Sequence, residues 1–259
     1  MIWMQRRIFG LGIFAMAVVA ATTLVLPASA QDTNIRSVTF YTVKPDRVGD
    51  FLAGIRDYNA ILAKAGSDRY SSMWVGLTGA HEYARVQDYT KWADLDASID
   101  SDPKLKDQAV DLTRLSMRII DCTESQRRTV EMVIPELSLP ESGAPPKMLR
   151  VLLTQVRPDK YQEYLDFVKN VVLPAVKKGG TKDYSVAESN LGASSMEITS
   201  ATGFNSWADL DAGIGAQAGL SKEDYQALVD KVRMLITQSE FDIYRYEPDE
   251  SYLPAPTAK

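Results

Sequence analysis

The sequence predicts an α+β protein made from one unit written twice, each copy with the element order β-α-β-β-α-β. Two observations carry this. The hexapeptide WADLDA occurs at residues 92–97 and again at residues 207–212. The similarity extends outward from it: FYTVKPDRVGDFL (residues 40–52) aligns with LTQVRPDKYQEYL (residues 153–165), so self-similarity organises the whole chain.

Residues 1–30 are set aside first. Arg6 and Arg7 precede a long apolar run that ends on Ala28-Ser29-Ala30, the pattern of a secretory signal peptide cleaved after Ala30. The protein is then expected outside the cytoplasm, periplasmic or extracellular, with no stable membrane insertion after cleavage. Arg6-Arg7 faintly resembles a twin-arginine signal, although Gln5 replaces the usual Ser or Thr.

The first unit is expected over residues 31–136 and the second over residues 148–259. Between them LSLPESGAPPK, residues 137–147, is rich in Pro, Gly and Ser and reads as a linker. Each unit opens with an apolar strand that runs into Val, a base, Pro-Asp and another base. Pro45 and Pro158 suit a first helical turn, where no N–H is needed, and Asp46 and Asp159 oppose the helix dipole.

In the front unit Val48, Phe51, Leu52, Ile55, Tyr58, Ile61 and Leu62 make one helical stripe that Gly66 ends. The rear stripe runs from Tyr161 to Val172, and Pro174 predicts a bend or an early stop. Next, in each unit, two short β-favouring runs flank a glycine, the signature of a hairpin. WADLDA then begins a second helical region, with Ser206 and Asp209 at capping-box spacing and Thr90 as the front cap. Trp92 and Trp207 are expected to be packing anchors. A longer amphipathic helix follows, and each unit closes on a strand, RTVEMVIPE in front and FDIYRYEPD behind.

This order is the split, ferredoxin-like one, whose helices cover a single sheet face. The other face is also apolar, since Val38 and Phe40 oppose Tyr41 and Val43 on the first strand. The economical solution packs the two antiparallel sheets face to face, an intramolecular α+β barrel in which a monomer acts as a pseudo-dimer. Through VKPD, VRPD and the two WADLDA segments, the chain resembles the dimeric α+β barrel superfamily. That resemblance implies a scaffold that hosts cofactor-free oxygenases, isomerases, haem-degrading enzymes, haem peroxidase relatives and ligand-binding proteins. It implies no single reaction.

A net charge of −5 gives nucleic acid no basic surface to bind. With His81 and Cys122 as the lone members of their kinds, a metal site lacks its usual ligands, and Cys122 reads as a small buried hydrophobe. Asp94, Asp96, Ser98, Asp100 and Asp102 alternate like a calcium loop, but Ile99 and Leu105 stand where its glycine and its bidentate Glu belong. The stretch reads as a solvated helix start. GIGAQAG, residues 213–219, lacks dinucleotide spacing, and no nucleophile elbow occurs.

On an alternating strand His81, Tyr83, Arg85 and Gln87 share a face able to bind an anion or polarise a carbonyl, and Trp74 precedes them on the hairpin. Their rear counterparts, Met196, Ile198, Ser200 and Thr202, are mostly stripped of polar function. The candidate pocket is therefore His81, Trp74, Tyr83 and Arg85, in the front half. Glu188 reads as a rim residue.

The expectation that follows is an exported binding or accessory protein with no cofactor, haem included. It would take a small apolar or aromatic molecule in a cleft between sheet and helices or inside the barrel, with Trp74, Tyr83, Tyr244 and Tyr246 as stacking surface. The alternatives are a cofactor-independent oxygenase or isomerase with a pocket near His81, and a protein-interaction module.

Overall fold

The computed structural model describes residues 34–140 and 143–254; the expected signal peptide lies outside them. The front half runs β1 (Ile35–Val43), α1 (Val48–Lys64), β2 (Ser72–Gly76), β3 (Tyr83–Tyr89), α2 (Ala109–Asp121) and β4 (Thr123–Val133). The rear half runs β5 (Met148–Val156), α3 (Tyr161–Phe167), α4 (Leu173–Lys178), β6 (Tyr184–Leu191), β7 (Glu197–Phe204), α5 (Ala216–Gly219), α6 (Lys222–Leu235) and β8 (Ile236–Tyr246).

The eight strands form one closed antiparallel barrel in the order β1-β3-β2-β8-β5-β7-β6-β4. The face-to-face expectation is thereby refined. The halves also share ladders at their edges, β2 on β8 with Trp74 opposite Tyr246, and β4 on β6 with Met132 opposite Glu188. Closure leaves no unpaired strand edge in the barrel.

Alternation sorts the side chains. Val38, Trp74, Ala84 and Tyr244 pack with Phe40, Val86, Leu149, Val151 and Tyr246 as one cluster on the inner face. The odd-numbered positions of β1, Tyr41 and Val43, join Phe51, Ile55, Tyr58 and Leu62 of α1 with Leu112 and Ile119 of α2. The rear half builds a matching core from Val156, Tyr164, Val168, Val176, Val186 and Ile198. Both faces of the strands are thus buried, as the two-sided apolar pattern requires.

Three local expectations resolve differently. The bend at Pro174 is a turn of π-helix, Val168–Val172, joining α3 to α4, since a proline cannot supply the N–H that would continue the regular ladder. WADLDA makes a 3-10 turn in each half, Trp92–Asp96 and Trp207–Leu210, with Asp94 and Asp209 accepting from the backbone N–H of Lys91 and Ser206. The tryptophans are not buried anchors: Trp92 is 39 % and Trp207 50 % exposed, because a 3-10 turn without a following helical stripe gives them no wall to pack on. Among the described residues no helix is long and apolar enough to cross a membrane.

Candidate functional site

A cleft of about 300 Å³ opens in the front half between the outer face of β1, β3 and β4, helix α1 and the segment after the 3-10 turn at Trp92–Asp96. Its floor is set by strand register. Thr39 of β1 lies opposite Arg85 of β3 on one side and Arg128 of β4 on the other, so the three form one row across the sheet. Gln87 lies one pleat on, opposite Ser37. Tyr58 of α1, Arg69, Tyr89, Asp94, Ser98 and Gln126 complete the polar lining.

Each arginine is positioned. Arg85 Nε donates to Ser71 Oγ at 3.0 Å, and its guanidinium lies 5.0 Å from the centre of the Tyr58 ring, a cation–π contact. Arg128 Nε donates to Ser37 Oγ at 2.6 Å. Among the described residues neither arginine has a carboxylate within ion-pair distance. Beside Arg85, burial pushes the Tyr41 phenol up and the Arg85 charge pulls it back, so Tyr41 stays a proton donor at neutral pH.

Arg69 has a different task. Its Nη2 donates to the carbonyls of Ala97 and Ser98 at 2.8 and 2.7 Å, and its Nε pairs with Asp102 at 3.4 Å. The segment that alternates like a calcium loop is therefore closed around a guanidinium from the same chain. No group of three metal-ligating side chains occurs among the described residues.

The four residues picked from sequence do not converge. Arg85 lines the cleft. Tyr83 is one pleat away beneath α1, its ring 5.2 Å from Phe51, and burial raises its phenol. Trp74 faces the barrel interior, 5.1 Å from Tyr246, with Nε1 bonded to Ser72 Oγ at 2.9 Å. His81 sits before β3 on the exposed hairpin turn, 6.2 Å from the Tyr83 ring, and outside the cleft. Alternation held for Tyr83, Arg85 and Gln87 and ended at the turn. Tyr58, Arg69 and Arg128 were missed. Tyr58 was legible only as a member of a helical stripe, and nothing local marks Arg128 as the cross-strand neighbour of Thr39.

The rear half offers no copy of the row. Leu152 of β5 lies between Ser200 of β7 and Phe241 of β8, so both guanidiniums are replaced. The front half alone carries this arrangement.

Solved structures with the same architecture decide the fold. An anthrone oxidase-like protein superposes with a TM-score of 0.56 at 15 % identity, covering 89 % of this chain and 98 % of that one. A protein from Fusobacterium nucleatum assigned as a monooxygenase gives 0.57 at 12 % identity over 83 % and 92 %. The fold is the dimeric α+β barrel. No protein-family model matches the sequence, and no curated protein matches it.

These structures correct two expectations. Proteins that share the barrel are an oxidase-like protein and an assigned monooxygenase, so the cofactor-free accessory reading is withdrawn. The expectation of no cofactor was part of that reading and is withdrawn with it. Haem can be tested against the residues present. The lining of the cleft holds neither histidine nor cysteine, His81 is on the turn, and Cys122 is sealed in the front core with its thiol donating to the Arg118 carbonyl at 3.2 Å. The cleft does not fit a haem ligated by imidazole or thiolate.

Proposed function

We propose that the front cleft is the active site of an oxygenase or oxidase whose substrate reacts as its anion. The observation that carries this reading is the Arg85-Thr39-Arg128 row, two positioned cations with no carboxylate partner among the described residues, facing a small cleft. The oxidase-like and monooxygenase neighbours supply the reaction class.

The lining limits the chemistry. Asp94, the carboxylate in the cleft, already accepts from Thr90 Oγ1 at 3.1 Å and from the Lys91 N–H at 3.2 Å, so it makes a poor base. The cleft therefore suits a group that is acidic in its own right, a phenol or an enol, whose anion the guanidiniums stabilise. The resonance-stabilised anion is the electron-rich form that dioxygen oxidises. Arg85, braced by Ser71 and Tyr58, holds the charge of the bound anion, and Tyr41 keeps a proton beside it.

Oxygen uptake on a panel of phenols and enols, with product mass, tests the reading. Arg85→Gln is expected to lower kcat/KM by about 10–10²-fold, the cost of removing one charge-assisted hydrogen bond to the bound anion. Turnover without oxygen consumption would instead assign the anion to an isomerase.

We also read the two halves as ferredoxin-like units. Each places its strands in the order closing, first, third, second: β4-β1-β3-β2 and β8-β5-β7-β6.

A further inference from the structure

We infer that the substrate carries a carboxylate besides its reacting oxygen: the cleft takes a compact aromatic or enolic acid, bound as a dianion. This rests on the cleft being the active site.

Of the cations around the cleft, Arg69 is answered by Asp102 and two carbonyls, which leaves Arg85 and Arg128 without an anionic partner among the described residues. They stand on strands either side of β1, two ladder steps or roughly 9–10 Å apart at the backbone. Both are tethered through Nε, to Ser71 and Ser37; Arg85 also hydrogen-bonds the Tyr41 phenol, and Arg128 keeps its Nη edge for a ligand. Ser37 is one pleat beyond the row, and Ser71 immediately precedes β2, whose Ser72 pairs with Val86. Both guanidiniums therefore lean the same way along the sheet, and both line the cleft.

One phenolate oxygen neutralises one of them. A second oxyanion on the same small molecule neutralises the other, and a carboxylate suits the flat fork of an arginine. The roles divide by depth. Arg85 lies deeper and stacks on Tyr58, beside the Tyr41 phenol, and takes the reacting oxygen. Arg128, on the exposed run of β4, takes the carboxylate. A volume of about 300 Å³ is at the small end for ligand sites, which suits a single ring. Of the small apolar or aromatic ligand expected from sequence, a purely apolar one does not match this lining.

The test is calorimetric titration of the full mature chain with 2-, 3- and 4-hydroxybenzoate, their methyl esters, and phenol. At least one acid is expected to bind about tenfold or more tightly than its ester. Arg128→Gln should erase that preference while leaving ester binding in place, and Arg128→Lys should restore part of it. Equal binding of acid and ester, loss of both alike in Arg128→Gln, or no binding by any acid would overturn the inference. Oxygen uptake separates the two claims. Preference for the acid without uptake sinks the oxygenase reading alone, and uptake with neutral phenols at equal affinity sinks the carboxylate alone.

Discussion

Glu131 of β4 is 6 % exposed and accepts a hydrogen bond from Thr199 Oγ1 at 3.0 Å. Burial raises its carboxyl above the usual value of 4.5, outweighing Arg36 and the Thr199 bond, with Glu197 and Asp88 adding to the rise. The folded protein therefore holds this proton to higher pH than the unfolded chain does. Its stabilising share is complete below pH 4.5 and is lost as pH rises through the raised value. Glu131→Gln keeps an acceptor for Thr199 and removes the charge. A thermal melt should give a higher Tm than the parent at neutral pH, with the gain closing below pH 4.5; a lower Tm at neutral pH would show that the charged form is the stable one. Residues of this kind were poorly legible. Alternation along β3 put Tyr83, Arg85 and Gln87 on one face, but it cannot say that β4 lies on the other side of β1, so Arg128 looked like any strand arginine. Glu131 carries no local sign of its burial for the same reason.

Helices α4 and α5 meet through glycine. A Cβ on Gly219 would stand 1.9 Å from the carbonyl oxygen of Ala175 and 2.9 Å from the N–H nitrogen of Gly179, two backbone atoms with nowhere to retreat. Gly219→Ala should therefore cost about 3 kcal/mol or more by denaturant titration. At Gly66, with φ +62 and open space around it, the same change brings only conformational strain. A loss of roughly 1–2 kcal/mol is expected there. Equal losses at the two sites would remove the close approach as the cause. The glycine-rich run at residues 213–219 failed as a nucleotide motif in sequence, and its purpose stayed hidden because its partner, α4, belongs to a distant segment. The reach of α1, by contrast, was legible to within a few residues, because a long apolar stripe between Pro45 and Gly66 is decided by local chemistry. The two WADLDA turns stand between these cases: the Ser206–Asp209 cap was legible, the front cap is Lys91 with Asp94 rather than the expected Thr90, and the exposure of their tryptophans depended on what the fold puts next to them.

At the scale of the molecule, the repeated sequence pattern foretold the closed barrel better than any motif did, since two half-covered sheets in one chain would need a shared cover. It did not tell that each half ends in a strap on the other. Past β4, Ile134 and Leu139 donate to the carbonyls of Val186 and Tyr184 at 2.8 Å each, and Leu137 is buried in the rear core. Past β8, Ser71 exchanges hydrogen bonds with Tyr252, Asn59 Nδ2 donates to the Glu250 carbonyl at 2.8 Å, and Glu250 pairs with Arg56. Tyr252 packs on the front core and its hydroxyl donates to the Ser67 carbonyl at 2.7 Å. This second strap holds Ser71, and the Ser71 hydroxyl holds Arg85. The straps are alike in stability terms and unlike for the cleft. Tyr252→Ala, at a partly buried ring, should cost about 2–3 kcal/mol and Leu137→Ala about 2–4 kcal/mol, both from lost burial. Only Tyr252→Ala should also weaken hydroxybenzoate binding, by several-fold, while Tyr252→Phe loses about 1 kcal/mol and keeps the affinity. If Leu137→Ala weakened binding as much as Tyr252→Ala at matched stability, the rear strap would not be what positions Arg85, and binding would simply follow the stability of the barrel as a whole.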